Sequence, residues 1–137
     1  MAEPTEKKPE REGKGETPAF SFKVRMQSFQ YALAGGRMLL ASQHNAWIHA
    51  LATVVVVIGA LVVRISRLEW ALIIFAISLV WAMEALNTAV ELLADEISLE
   101  QRPRIGKAKD VAAFGVLAAA VAAVLIGLLV FIPHLFP

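Results

Sequence analysis

Five polar residues recur at helical spacing inside an otherwise apolar stretch: Glu84, Asn87, Thr88, Glu91 and Asp95, in WAMEALNTAVELLAD. At 100° per residue they fall within an arc of about 100° on a helical wheel. Three carboxylates and an amide on one stripe do not face lipid, because each charge in hydrocarbon costs several kcal/mol. They must face protein, a water-filled cleft or the headgroup region, and ionisable groups inside a span mark a functional site by default. The competing structural reading is a buried polar seam that only fixes helix register. Downstream, Gly106-Lys107-Ala108-Lys109-Asp110 supplies the opposite charge at the expected start of another helix. A helix N-terminus offers phosphate free amides and a positive dipole end, to which lysines add point charge. The segment is not a P-loop, since no Gly stands five residues before Gly106 and Ala108 replaces Ser or Thr. The bland reading of its lysines is a topology signal alone. Together the two segments fit phosphoryl transfer. That reaction uses a metal held by carboxylates, cations on the phosphates and a base for the attacking hydroxyl. Mg²⁺ is commonly held by one or two carboxylates plus substrate phosphates. The acceptor hydroxyl is expected at headgroup depth, where the stripe begins.

The elements that must position these residues are membrane helices. Of 137 residues, 58% are apolar, above the roughly 45–50% of soluble domains, and the charges sit in blocks. A net charge of +1 argues against nucleic acid as a partner. The chain has no cysteine, which excludes disulfides, zinc thiolate sites and thiol nucleophiles. Residues 1–19 mix Glu, Lys, Pro and Gly with no apolar core, so they read as a disordered tail and not a signal peptide. The remainder, 20–137, is expected to be one all-α membrane domain with an N-terminal amphipathic surface helix and three transmembrane helices. The surface helix is placed over 20–43, where Phe22, Met26, Phe29, Leu33 and Leu40 form a narrow stripe. It would lie in the interface or pack on the protein, and Gly35 and Gly36 allow a bend. The spans are placed at 46–65, 70–94 and 111–132, each near the 20 residues that cross a bilayer. Asn45 is expected to cap the first span. His49, one turn inside, reads as a packing or interfacial residue more readily than as a ligand. Segment 95–110 reads as a polar loop broken by Pro103 and Gly106.

Orientation follows from the basic residues. Lys23, Arg25, Arg37, Arg102, Arg104, Lys107 and Lys109 flank one side, and only Arg64 and Arg67 mark the other. This asymmetry places the N-terminus and the 95–110 segment in the cytoplasm, with ATP.

The pattern Glu84-x-x-Asn87-Thr88-Ala89-Val90-Glu91-x-x-x-Asp95, followed by Gly106-x-Ala108-Lys109-Asp110-x-Ala112-Ala113, resembles the prokaryotic diacylglycerol kinase and undecaprenol kinase family. The likeness runs from about Ser21 to the C-terminus, and Asn45-x-x-Ile48-His49 is similar to the family's segment at the start of its first span. It implies a homotrimer in a bacterial inner membrane, with active sites at subunit boundaries. It also implies ATP- and Mg²⁺-dependent phosphorylation of a lipid alcohol in phospholipid metabolism. Diacylglycerol is the expected acceptor and undecaprenol the alternative. By resemblance Glu84 is the catalytic base, with Asn87 in the same site, and Glu91 is a Mg²⁺ ligand. Lys109 contacts phosphate, and Asp95 and Asp110 belong to the nucleotide site. Many members carry a second metal-binding glutamate two residues before the position of Asn45. This chain has Gln43 there, and a neutral carbonyl is a weaker ligand than a carboxylate.

Two other classes compete. A small oligomeric transporter would use Glu84 as its carrier acid, but it has no need of the Gly-Lys-Ala-Lys-Asp turn, and its key acid usually lies nearer the midplane. A structural subunit would use the stripe as a seam. ATP-dependent phosphate incorporation into extracted lipid separates the kinase from both.

Overall fold

A computed structural model describes residues 21–42, 44–98, 100 and 102–136. The tail expected over 1–19 and the metal candidate Gln43 lie outside the described residues. Four helices form: α1, Phe22–Ser42; α2, His44–Val63; α3, Arg67–Ile97; and α4, Pro103–Leu135. No strand occurs among the described residues. Helices α2, α3 and α4 are each long and apolar enough to cross a membrane.

Helices α3 and α4 contain 31 and 33 residues, roughly 46 and 50 Å at 1.5 Å per residue. Both exceed a hydrocarbon core of about 30 Å. Their apolar parts match the expected spans, and their polar ends continue the helix past them. The 95–110 segment is therefore mostly helical and not a loop. Helix α3 runs on to Ile97, and α4 begins with Pro103 at its first turn. Pro103 starts the helix because its fixed φ suits that position and its missing N–H is one that the first turn cannot pair anyway. Asn45 likewise lies inside α2, which begins at His44, and does not cap it.

Helix α1 forms where the surface helix is expected and continues through Gly35 and Gly36. Phe22, Met26, Phe29 and Leu33 stay exposed within the chain, and Leu39 is buried.

The connection between α2 and α3 is fixed by two adjoining caps. Arg64 adopts a left-handed conformation, φ 55°, and the Ile65 amide donates to the Ala60 carbonyl at 3.2 Å. This closes α2 in a Schellman-like turn with Ile65 buried beneath it. Ser66 then opens α3 with a capping box. Its hydroxyl accepts from the Glu69 amide at 3.4 Å, and the Glu69 carboxylate accepts from the Ser66 amide at 2.7 Å. Glu69 also lies 3.8 Å from His134 near the end of α4. Loss of the cap hydroxyl in Ser66→Ala is expected to lower stability by about 0.5–2 kcal/mol. Thermal unfolding in detergent micelles measures this, and an unchanged transition counts against the capping box.

The apolar core sits at this end of the bundle. Ala60, Ile65, Ile73 and Val130 are buried together, with Trp70, Ile77 and Phe131 against them. The closest helix pair is α3 with α4, and a Cβ added to Gly115 would overlap Met83 Cε. Small residues permit such approach in a bilayer. Elsewhere α2 and α4 leave Leu51, Ile58, Leu117 and Leu128 exposed, which suits contact with lipid tails as apolar as the side chains themselves. The packed core thus closes one end, and the polar stripe of α3 occupies the other.

Candidate active site

The α3 stripe forms one face, as its spacing predicts, but its members meet different surroundings. Glu84 is 1% exposed, Asn87 7% and Thr88 3%. Glu91 is half-buried and Asp95 exposed. The stripe therefore grades from buried to solvated towards the end of α3. Asn87 Nδ2 donates to Glu91 Oε1 at 2.9 Å. Because an ionised carboxylate only accepts, this contact fixes the amide orientation and leaves Asn87 Oδ1 as a free acceptor. Glu84 Oε2, Asn87 Oδ1 and Thr88 Oγ1 are buried and accept no hydrogen bond from the described residues. Buried polar atoms are ordinarily satisfied, so three within about one turn of α3 mark this region as one that receives further groups.

Glu84 and Asn87 line a cavity of about 290 Å³ between α2, α3 and α4, with Asn45 and His49 on one wall and Ala113, Val116 and Leu117 on the other. His49 Nε2 stands 3.7 Å from Glu84 Oε2. A larger cavity, about 450 Å³, opens where α3 and α4 end and begin. Asp95, Ser98, Arg102, Gly106 and Lys109 line it. Across it Lys109 Nζ contacts Asp95 Oδ1 at 2.7 Å.

The geometry corrects one part of the phosphate argument. Segment Gly106–Asp110 lies inside α4 and is not at its free end. The Gly106 amide already donates to the Arg102 carbonyl at 3.0 Å, so any phosphate contact from this segment rests on side chains. Lys109 reaches the cavity, and Lys107 is exposed on another face. Asp110, grouped with Lys109 by resemblance, is exposed and lines neither cavity. Among the described residues no group of three or more His, Cys, Asp or Glu side chains could hold a metal ion.

Sequence reasoning set His49 aside as a packing residue. Its approach to Glu84 joins residues 35 positions apart, which no helical periodicity encodes. The only hint in the sequence is its place within Asn45-x-x-Ile48-His49. Arg102 and Ser98 also line the outer cavity, although the 95–110 segment reads as a plain polar connection.

The profile of the prokaryotic diacylglycerol kinase family matches residues 30–131. An undecaprenol kinase of Bacillus subtilis is 37% identical over 109 residues, which cover 80% of this chain and 89% of that protein. A diacylglycerol kinase of Synechocystis sp. is also 37% identical over 109 residues, covering 79% of this chain and 62% of that protein, less than two thirds of its length. With three helices able to cross a membrane and an acidic stripe, buried at Glu84, on the second of them, the chain belongs to the prokaryotic diacylglycerol kinase family and is a membrane lipid kinase.

Proposed function

We propose that this kinase transfers the γ-phosphoryl group of ATP to the hydroxyl of diacylglycerol, with Mg²⁺, on the cytoplasmic side of a bacterial inner membrane. The observation that carries this reading is the order of groups along one helix face. Buried Glu84 comes first, the Asn87–Glu91 pair next, and the Lys109–Asp95 pair last, at the open cavity. Glu84 and Asp95 are separated by roughly 16 Å along α3. That span accommodates an acceptor hydroxyl at one end and a nucleotide at the other.

Glu84 takes the proton of the acceptor hydroxyl as its oxygen bonds to the γ-phosphorus and the bond to the ADP oxygen breaks. Asn87 orients Glu91 through its amide. The donor set fits Mg²⁺, because Glu91 offers a hard oxygen ligand and the uncommitted Asn87 Oδ1 beside it adds no competing soft donor. When bound, Mg²⁺ would neutralise charge on the phosphates. Gln43 is the second residue proposed at the metal, and Asp95 and Asp110 are proposed for the nucleotide site. A trimer with sites at subunit boundaries accords with an acidic stripe that one chain encloses only in part. The basic residues within α1 and around the α3–α4 connection support the cytoplasmic placement. Helix α1, with its exposed apolar stripe, is read as lying in the interface.

The assay is ATP-dependent phosphate incorporation into extracted lipid, run in mixed micelles with diacylglycerol and with undecaprenol. Labelling of diacylglycerol at the higher kcat/KM is expected, and labelling of neither lipid overturns the reading. Undecaprenol stands as a second reading because the Bacillus undecaprenol kinase is matched over 89% of its length.

Lys109 is proposed to meet phosphate. Its pair with Asp95 is partly exposed, with side-chain exposures of 37% and 58%. Such pairs are weak, so the ammonium exchanges carboxylate for phosphate at little cost. A charge-assisted contact contributes about 1.5–3 kcal/mol. Lys109→Ala is therefore expected to lose roughly 10- to 150-fold in apparent ATP affinity or rate. Lys107 points about 200° away on the same helix and is the control. Equal, small effects of the two substitutions in correctly inserted protein would leave the lysines as topology signals.

A further inference from the structure

We propose that His49 is a positioning residue for Glu84: its imidazole holds one oxygen of the buried carboxylate, leaving the other for the acceptor proton. The inference rests on the reading of Glu84 as the base. The Glu84 side chain is 2% exposed and His49 Nε2 lies 3.7 Å from its Oε2. Burying a carboxylate this far from water is costly unless a donor or cation stands beside it. Helix α4 supplies none at this level, because Ala113, Val116, Leu117 and Ala120 form its wall of the cavity. On α2, Asn45 is the other polar residue lining the cavity. Among the described residues there, His49 is the one side chain able to carry positive charge. The distance exceeds a direct hydrogen bond, so in this state His49 stands beside the carboxylate without bonding it, and catalytic contacts often tighten only in the loaded site.

A second observation shows that the placement of His49 is braced. The Thr53 hydroxyl donates to the His49 carbonyl at 2.7 Å, and Thr53 Oγ1 in turn accepts from Trp81 Nε1 at 3.1 Å. Trp81 precedes Glu84 by one turn on α3. This chain of hydrogen bonds crosses from α3 to α2 and fixes the register of His49 against Glu84, inside a layer otherwise held by apolar packing.

The test uses the full chain purified in mixed micelles with ATP and diacylglycerol. Leu in place of His49 keeps volume and removes the donor. Gln places an amide nitrogen near the position of Nε2, whereas Asn is polar but too short to reach. His49→Leu and His49→Asn are expected to lower kcat about 10- to 100-fold with KM for ATP and lipid changed less than about threefold. His49→Gln is expected within about fivefold of the parent. In a Glu84→Gln background, His49→Leu should add less than about twofold, because residues acting as a unit are not additive. Parent-like kcat in His49→Leu overturns the proposal, as does equal impairment of the Gln and Asn variants. If the Leu variant does not fold, the Gln-against-Asn contrast decides. Full turnover in Glu84→Gln alone removes the base assignment itself, and the proposal with it. A disabled Glu84→Gln beside an unaffected His49→Leu removes only the proposal.

Discussion

Glu84→Gln is expected to lower turnover by about 100-fold or more, the usual scale for loss of a general base. The substitution keeps shape and volume and removes the charge and the basic lone pair. Glu84 is 1% exposed, so water is poorly placed to take over the proton. The neutral amide also relieves the buried site of a charge, so folding and insertion should survive. ATP binding should survive too, since Asp95 and Lys109, two of the residues proposed for the nucleotide, line the outer cavity, and Asp95 lies about three helical turns along α3 from Glu84. Initial rates on purified protein, together with binding of a fluorescent ATP analogue, measure both halves. Near-parental turnover would remove Glu84 from the chemistry and revive the seam reading for this residue.

Glu91→Gln is expected to abolish activity or to raise the Mg²⁺ concentration for half-maximal rate sharply. An amide carbonyl is a weaker ligand for a hard dication than a carboxylate. Glu91 also accepts from Asn87 at 2.9 Å. A glutamine can retain that hydrogen bond through its own carbonyl, so the substitution isolates the charge from the contact. Gln43→Glu is expected to act in the opposite direction and lower the Mg²⁺ requirement, by adding a carboxylate, a stronger ligand than an amide carbonyl. Rate titrations against Mg²⁺ at fixed ATP check both substitutions. Unchanged metal dependence in the two variants would refute the metal assignment while leaving the base assignment standing.

The effects expected at 84 and 91, one on turnover and the other on metal dependence, differ as the surroundings of the two residues differ. Burial keeps water from Glu84, whereas Glu91 is half-buried and Asp95 exposed. On the proposed roles, carboxylates at helical spacing would serve as base, metal ligand and nucleotide-site residue at different depths. The same gradient explains why a transporter is the weaker reading. The acids rise towards an open cavity with Lys109 beside it and do not cluster at mid-span.

Much of this was legible in the sequence. Three apolar runs of span length, an acidic stripe at helical period and the asymmetry of basic residues each rest on local or compositional rules, so the membrane class, the helices and the shared face of Glu84, Asn87 and Glu91 follow directly. Helix ends were less legible. Pro103 and Gly106 look like breakers, yet Pro103 opens α4 and Gly106 lies within it, because proline suits a first turn and one glycine costs a helix only about 1 kcal/mol. The polar ends of α3 and α4 continue as helix, and Lys109 and Asp95 meet across them. Only the tertiary structure decided which members of the stripe are buried, that Lys109 crosses to Asp95, and that His49 meets Glu84. Those facts depend on how α2, α3 and α4 are rotated and set in register against one another. Periodicity specifies which residues share a face of one helix, but not which face of its neighbour they meet.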